Sequence, residues 1–124
     1  MLHTDVAGLR LLLVEDEYAF AFCLSDMLED MGVQVIGPVS SVDDALDLVD
    51  RAPEIDAALL DVNLGSELSF PVADRLRAWN VPFAFASGHD PDLMPARFRD
   101  VPLFRKPLDA AAVRTAIARL RPAA

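Results

Sequence analysis

The sequence is poor in cysteine, in basic residues and in long apolar runs. Its 124 residues include one cysteine, Cys23, so an internal disulfide is excluded. Cys23 lies in a short apolar stretch, and we expect a buried thiol, compatible with a reducing compartment. Since 53% of the residues are hydrophobic, a chain of this length can fold around one core without covalent cross-links.

Basic residues are outnumbered by acidic ones. There are 11 lysines and arginines against 20 aspartates and glutamates, which makes the net charge −9. Binding to nucleic acid or to anionic lipid is therefore disfavoured, because both require a surface that neutralises phosphate groups. A bound cation remains compatible with this charge.

Apolar runs long enough to cross a membrane are absent, since none approaches roughly 18 residues. The first eight residues lack the basic region of an export signal, and we expect a cytoplasmic protein with no membrane partner. Repeats, low-complexity segments and long linkers are also absent. We expect a single domain over residues 1–124, with its core at about 9–121 and no output domain.

Short apolar runs alternate with amphipathic segments along the chain. Ser41 and Asp109 each begin an amphipathic segment and are predicted helix N-caps. The apolar runs lie at 9–14, 33–38, 57–60, 82–86 and 103–104, and the amphipathic segments at 17–31, 41–49, 69–79 and 109–120.

This alternation predicts a parallel sheet with helices on both faces. We expect a flavodoxin-like α/β fold, a three-layer α/β/α doubly wound sandwich with five strands in the order 2-1-3-4-5. A fourth helix is expected between residues 90 and 100 but should be short or irregular, because Pro91 and Pro95 lie within it.

Polar side chains end four of the five predicted strands. Glu15 and Asp16 follow strand one, Asp61 follows strand three, Ser87 strand four and Lys106 strand five. Parallel strands end at one edge, so the three carboxylates should converge there, where Mg²⁺ would relieve their repulsion. Together with a hydroxyl and an ammonium group, such a site suits phosphoryl transfer.

These residues resemble the receiver domain of two-component response regulators over most of the chain. The resemblance rests on the strand-end motifs at 14–17, 60–64, 86–88 and 106–107. It implies that Asp61 accepts a phosphoryl group from a phosphohistidine on a sensor histidine kinase. It also implies a signalling protein with a downstream protein target rather than an enzyme, and a phosphorylation-dependent dimer is compatible with it.

The resemblance also implies roles for individual residues. Mg²⁺ would be held by Asp16 directly, by Glu15 partly through water, by Asp61 and by the backbone carbonyl of Asn63. Ser87 and Lys106 would bind the phosphoryl oxygens, and the bond from Lys106 to Pro107 would be cis.

Two features depart from the usual family pattern. Leu103 occupies a position that is usually aromatic, so the usual aromatic switch is not expected, although Phe104 is adjacent. Residues 82–89 resemble a variant subgroup from alphaproteobacteria with the signature Pro-Phe-x-Phe-Ala-Thr-Gly-Tyr, which often comprises stand-alone receivers. His89 in this stretch is either a surface residue or an influence on water attack at the acyl phosphate.

Other interpretations remain open at the level of sequence. Glu15 and Asp16 could simply favour a helix N-terminus, Ser87 could be a turn residue and Lys106 a solvated charge. A phosphate-sink or shuttle receiver detached from a larger hybrid protein is one alternative function. A magnesium-dependent phosphatase with an aspartyl nucleophile is another, but Asn63 stands where such enzymes usually carry a second aspartate. A nucleotide-binding module is disfavoured because glycine-rich phosphate motifs are absent.

Overall fold

The computed structural model describes residues 6–51, 54–88 and 94–120. The strands are β1 (Arg10–Val14), β2 (Gln34–Val39), β3 (Ala57–Asp61), β4 (Asn63–Leu64), β5 (Glu67–Leu68), β6 (Phe83–Ser87) and β7 (Leu103–Arg105). The helices are α1 (Tyr18–Asp30), α2 (Val42–Arg51), α3 (Phe70–Ala78) and α4 (Ala110–Leu120), and a 3₁₀ helix spans Ala96–Phe98.

Five strands form one parallel sheet in the order β2-β1-β3-β6-β7. Counted along the chain without the short β4 and β5, this order is 2-1-3-4-5, and the predicted fold class is confirmed. β2 lies on one side of β1, whereas β3 and the later strands lie on the other side, so the strand order reverses at the boundary between β1 and β3. In α/β sheets of this kind, ligands bind beyond the carboxyl ends of the strands near this reversal.

The sheet separates two apolar clusters. Every residue of β3 and β6 is buried, as expected for strands covered by helices on both faces. Side chains of α2 and α3 pack in one cluster with Phe98, and side chains of α1 and α4 pack in the other. The described part of the chain contains no helix that is long and apolar enough to cross a membrane.

The predicted helix caps are confirmed, and each amphipathic segment forms a helix that buries an apolar face. Ser41 Oγ accepts a hydrogen bond from the Asp44 N–H at 3.1 Å, and Asp109 Oδ1 accepts one from the Ala112 N–H at 2.8 Å. The helix residues on these faces that are buried are Leu24, Leu28, Val42, Ala45, Val49, Val72, Ala73, Leu76, Val113, Ile117 and Leu120. Four others that the helical period places on the same faces are only partly buried, namely Phe20, Met27, Met31 and Leu46.

The prediction of a buried Cys23 was wrong, because this side chain is exposed on α1. Ala21 and Leu24 face the core. With 3.6 residues per turn, Cys23 lies about 200° around the helix from Ala21. The helical phase therefore decides its exposure, and the apolar composition of its neighbours does not.

The segment before β7 lacks a regular α-helix within the described residues. Pro95 precedes the 3₁₀ helix Ala96–Phe98, in agreement with the predicted short or irregular element. Phe98 is buried, and its ring lies 5.5 Å from that of Phe85 and 5.6 Å from that of Phe70, measured between centroids. His89 and Pro91 lie outside the described residues.

A small antiparallel hairpin follows β3 and was not predicted. Its strands β4 and β5 are joined by the two-residue turn Gly65-Ser66, and Gly65 has a φ of 68°. A glycine at the first position of a two-residue turn is a hairpin signal, although here only two residues form each strand. The hairpin places Gly65 beside Asp16, since a Cβ built on Gly65 would lie 3.4 Å from Asp16 Oδ2.

Candidate functional site

A pocket of about 360 Å³ lies at the carboxyl-terminal edge of the sheet. Glu15 directly follows β1, Asp61 ends β3 and Lys106 directly follows β7, so the strands deliver these side chains to one place. Glu15 and Asp61 are only 3% and 7% exposed. The residues that line the pocket are Glu15, Asp16, Glu17, Asp61, Asn63, Gly65, Gly88 and Lys106.

The ammonium group of Lys106 joins the two buried carboxylates. Its Nζ lies 2.8 Å from Glu15 Oε1 and 2.8 Å from Asp61 Oδ2. The backbone N–H of Lys106 donates to the Ser87 carbonyl at 2.9 Å, which fixes the start of this loop against the end of β6. The Lys106–Pro107 bond is cis, as the resemblance implied.

The Glu15 carboxyl is held in an environment that disfavours its charge. Burial raises its pKa to about 7, and the proximity of Asp61 acts in the same direction. Hydrogen bonds from Lys106 and from the Glu17 backbone N–H, the latter at 3.0 Å, oppose this rise in the pKa. Glu15 is therefore a carboxylate that a nearby cation would stabilise.

The Lys106 side chain is surrounded by partners of two kinds. Burial alone would lower its pKa, but hydrogen bonds and charge interactions with Asp61 and Glu15 outweigh burial and raise the pKa. The ring of Phe20, in the first turn of α1, lies beneath the ammonium with its centroid 4.3 Å from Nζ. This distance is within the range of a cation–π interaction.

The Asp61 carboxylate is positioned by the hairpin as well as by Lys106. Its Oδ1 accepts a hydrogen bond from the Asn63 N–H at 3.2 Å, while Oδ2 contacts Lys106. Two hydrogen bonds hold the hairpin against the rest of the fold. At its base, the Ser69 N–H donates to the Val62 carbonyl. At its side, Glu67 Oε2 accepts a hydrogen bond from the Val42 N–H at the start of α2. Asn63 is thus held at the pocket wall.

The donor set fits a hard divalent cation. Glu15, Asp16 and Asp61 each offer a carboxylate oxygen, and these oxygens lie within 4.8 Å of one another. The oxygens of an octahedral Mg²⁺ site are about 2.9 Å apart when adjacent and about 4.1 Å apart when opposite. Small side-chain adjustments would bring the three oxygens to these separations, and exposed Asp16 leaves room for water ligands.

Solved structures resemble the chain over almost its full length. SdrG from Sphingomonas melonis Fr1 is 44% identical, with a TM-score of 0.80, and the match covers 90% of this chain and 95% of that one. SdrG from Pseudomonas melonis Fr1, in its BeF3-activated conformation, is also 44% identical, with a TM-score of 0.78 and coverage of 92% and 98%.

A CheY-like response regulator receiver domain from Methylobacillus flagellatus is 27% identical, with a TM-score of 0.78, and the match covers 91% of this chain and 98% of that one. No protein-family model matches the chain, and no curated protein matches it. The structural likeness and the identity to SdrG decide the family. The chain is a response regulator receiver domain.

Two predicted features of the receiver domain concern β6 and β7. Ser87 is buried at the end of β6, one residue after the Ala86 that pairs with Asp61, and the adjacent Gly88 lines the pocket. Leu103 packs against the cluster of α2 and α3, whereas Phe104 packs against the cluster of α1 and α4. Because successive strand residues face opposite sides, Phe104 cannot replace the missing aromatic residue at 103.

Sequence reasoning missed one residue that lines the receiver pocket, Gly65, and one that contacts its lysine, Phe20. Phe20 was not predicted as a site residue, and its contact with Lys106 has no signal in the local sequence. Gly65 was not considered, although the Gly65-Ser66 pair does carry a turn signal. Both residues belong to elements other than the strands that supply the charged groups.

Proposed function

We propose that this receiver domain accepts a phosphoryl group on Asp61 from the phosphohistidine of a sensor histidine kinase in a Mg²⁺-dependent reaction. The proposal rests mainly on one observation: Glu15 and Asp61 are buried together, Lys106 bridges them, and Asp16 is adjacent. Phosphorylation would change the protein surface and so pass the signal to a downstream protein.

The transfer begins with an oxygen of Asp61 as the nucleophile. This oxygen forms a bond to phosphorus as the bond from phosphorus to the donor nitrogen breaks, and the nitrogen leaves with its electron pair and takes up a proton. Lys106, already 2.8 Å from Asp61 Oδ2, would donate to an equatorial phosphoryl oxygen. The hydroxyl of Ser87 would donate to another.

The carboxylates of Glu15, Asp16 and Asp61, with the backbone carbonyl of Asn63, would hold Mg²⁺. The bound ion would neutralise charge on the carboxylates and on the transferred group. Asn63 sits at the position where a phosphatase with an aspartyl nucleophile would need its acid, which favours phosphoryl acceptance over turnover of a substrate.

A relative supports this proposal. SdrG, 44% identical to this chain, has been solved in a BeF3-activated conformation. From the sequence of residues 82–89, we also assign the chain to the variant subgroup with the signature Pro-Phe-x-Phe-Ala-Thr-Gly-Tyr. A role as a phosphate sink or shuttle would use the same Asp61 chemistry and differs only in where the phosphoryl group goes next.

Intact mass spectrometry tests the chemistry directly. The protein is treated with phosphoramidate in Mg²⁺ and in EDTA, and we expect the mass of one phosphoryl group to be gained only with Mg²⁺. Hydroxylamine should remove it, because acyl phosphates react with this nucleophile. The Asp61→Asn variant should gain nothing, since an amide cannot form the acyl phosphate.

Two results would contradict the proposal. Equal labelling of Asp61→Asn and the parent would mean that another residue is the acceptor. Equal labelling in EDTA and Mg²⁺ would exclude the metal site from the reaction. Asp56→Asn is a matched control, since Asp56 is a carboxylate near the opposite end of β3 whose Oδ2 accepts from the Arg10 N–H.

A further inference from the structure

Among the residues that the structure describes, the ammonium of Lys106 has three close partners of unequal kind. Two are carboxylate oxygens, on Glu15 and Asp61, each 2.8 Å from Nζ. The third is the face of the Phe20 ring, whose centroid lies 4.3 Å away. The Lys106 side chain is 17% exposed, so these partners leave little of it to water.

Mg²⁺ and Lys106 would compete for the same oxygens. The metal requires oxygen ligands, and Glu15 and Asp61 are among the three residues whose carboxylate oxygens cluster. The Phe20 ring offers no oxygen, so a hard cation leaves it available to the ammonium. It is the partner that Lys106 would retain when the carboxylates turn toward the metal.

Phe20 is held in place by apolar packing. It is half-buried and packs against the cluster formed by side chains of α1, α4 and the sheet. Its helix begins three residues after Glu15, so the ring, Glu15 and Asp16 are carried by one short segment. The ring is therefore a fixed surface rather than a mobile cover.

We propose that Phe20 is a positioning residue that keeps the Lys106 ammonium beside Asp61 when Mg²⁺ takes the carboxylate oxygens. Phosphoryl uptake depends on this placement, because the ammonium must meet a phosphoryl oxygen on Asp61. The inference rests on the proposed function for its kinetic consequence, but the contact itself can be tested without phosphorylation.

The kinetic test compares variants at residue 20. Phe20→Leu removes the aromatic face but keeps an apolar side chain, and uptake from phosphoramidate at saturating Mg²⁺ should slow by about threefold to tenfold. Phe20→Tyr retains the ring and should take up phosphoryl groups at nearly the parent rate. Phe22→Leu is the matched control, because Phe22 lies on the same helix and is 63% exposed.

The structural test is the NMR spectrum of Lys106. Its ε-methylene protons should be shifted upfield by the Phe20 ring current in the parent and in Phe20→Tyr, both with and without Mg²⁺. The shift should be lost in Phe20→Leu and kept in Phe22→Leu. Should Phe20→Leu not fold, Phe20→Met provides the same comparison, since its flexible side chain fills space without a ring.

The outcomes separate the two proposals. A parent protein that takes up no phosphoryl group contradicts the proposed function, whereas the Lys106 shift still tests the ring contact. Loss of the shift in the parent on addition of Mg²⁺ would overturn the positioning role. So would equal uptake rates for Phe20→Leu and Phe22→Leu, or a Phe20→Tyr variant as slow as Phe20→Leu.

Discussion

The pocket edge and the α2–α3 flank contain ion pairs of similar length but different surroundings. In the pocket, Lys106 lies 2.8 Å from both Glu15 and Asp61, and the side chains are 17%, 2% and 7% exposed. On the flank, Arg75 lies 2.6 Å from Asp50, and these side chains are 40% and 46% exposed. The distance between the charges therefore does not distinguish the two regions, and burial does.

This difference sets the energetic importance of each pair. An exposed pair gains little because water screens the charges and two flexible side chains must be ordered. A buried pair contributes little net stability as a whole, but loss of one partner leaves an uncompensated buried charge. Substitutions on the flank should therefore change stability little, whereas the stability of the pocket should depend on bound cations and on pH.

The largest expected effect is that of Lys106→Met in the absence of metal. The variant leaves two buried carboxylates without their ammonium partner, and the free energy of unfolding should fall by about 3 kcal/mol or more. Urea denaturation in EDTA measures this loss, and saturating Mg²⁺ should restore much of it. A variant as stable as the parent in EDTA would show that the ammonium does not compensate the acidic pair.

The second-largest effect expected for the pocket is a dependence of the free energy of unfolding on pH. The pKa of native Glu15 is about 7, against 4.5 for an unperturbed glutamate, so the native state binds more protons than the unfolded state between these values. The free energy of unfolding of the metal-free protein should therefore fall as the pH rises through this window, by up to about 1.4 kcal/mol per pH unit.

Glu15→Gln is the control for this slope, since an amide does not titrate. The difference between parent and variant in urea denaturation isolates Glu15 from the other carboxylates. Mg²⁺ affinity of the parent should rise over the same pH range, because the metal binds the ionised carboxylate. A parent slope equal to that of Glu15→Gln would contradict a raised pKa.

A smaller effect is expected for Gly65→Ala in the pocket hairpin. The φ of 68° disfavours any residue with a Cβ, and the new methyl group would lie 3.4 Å from Asp16 Oδ2. Stability should fall by about 1 kcal/mol, with a weakened Mg²⁺ affinity measured by titration. Gly88→Ala is the matched control for stability, because its Cβ would have no neighbour within 4 Å.

The smallest effect is expected on the flank. Arg75→Met removes the exposed pair with Asp50 and should leave the free energy of unfolding nearly unchanged, with the smallest difference at high salt. A loss comparable to that of Lys106→Met would mean that burial is not what separates the two regions.

Sequence patterns were sufficient to predict the sheet order and the edge where the charged residues meet. Alternating apolar runs and amphipathic segments define a parallel α/β sheet because strand and helix periods are local properties. Once the strands are parallel, Glu15, Asp61 and Lys106 must lie at the same edge, whichever residues separate them. Helix caps at Ser41 and Asp109 were predictable for the same local reason.

Other features were decided only by tertiary structure. Cys23 was expected to be buried from its neighbours, but the rotation of α1 against the sheet places it outside. The contact of Phe20 with Lys106 depends on how α1 packs beside the loop after β7, and the raised pKa of Glu15 depends on its burial. Contacts between distant segments and the exclusion of water are collective results of packing, and local residue order does not specify them.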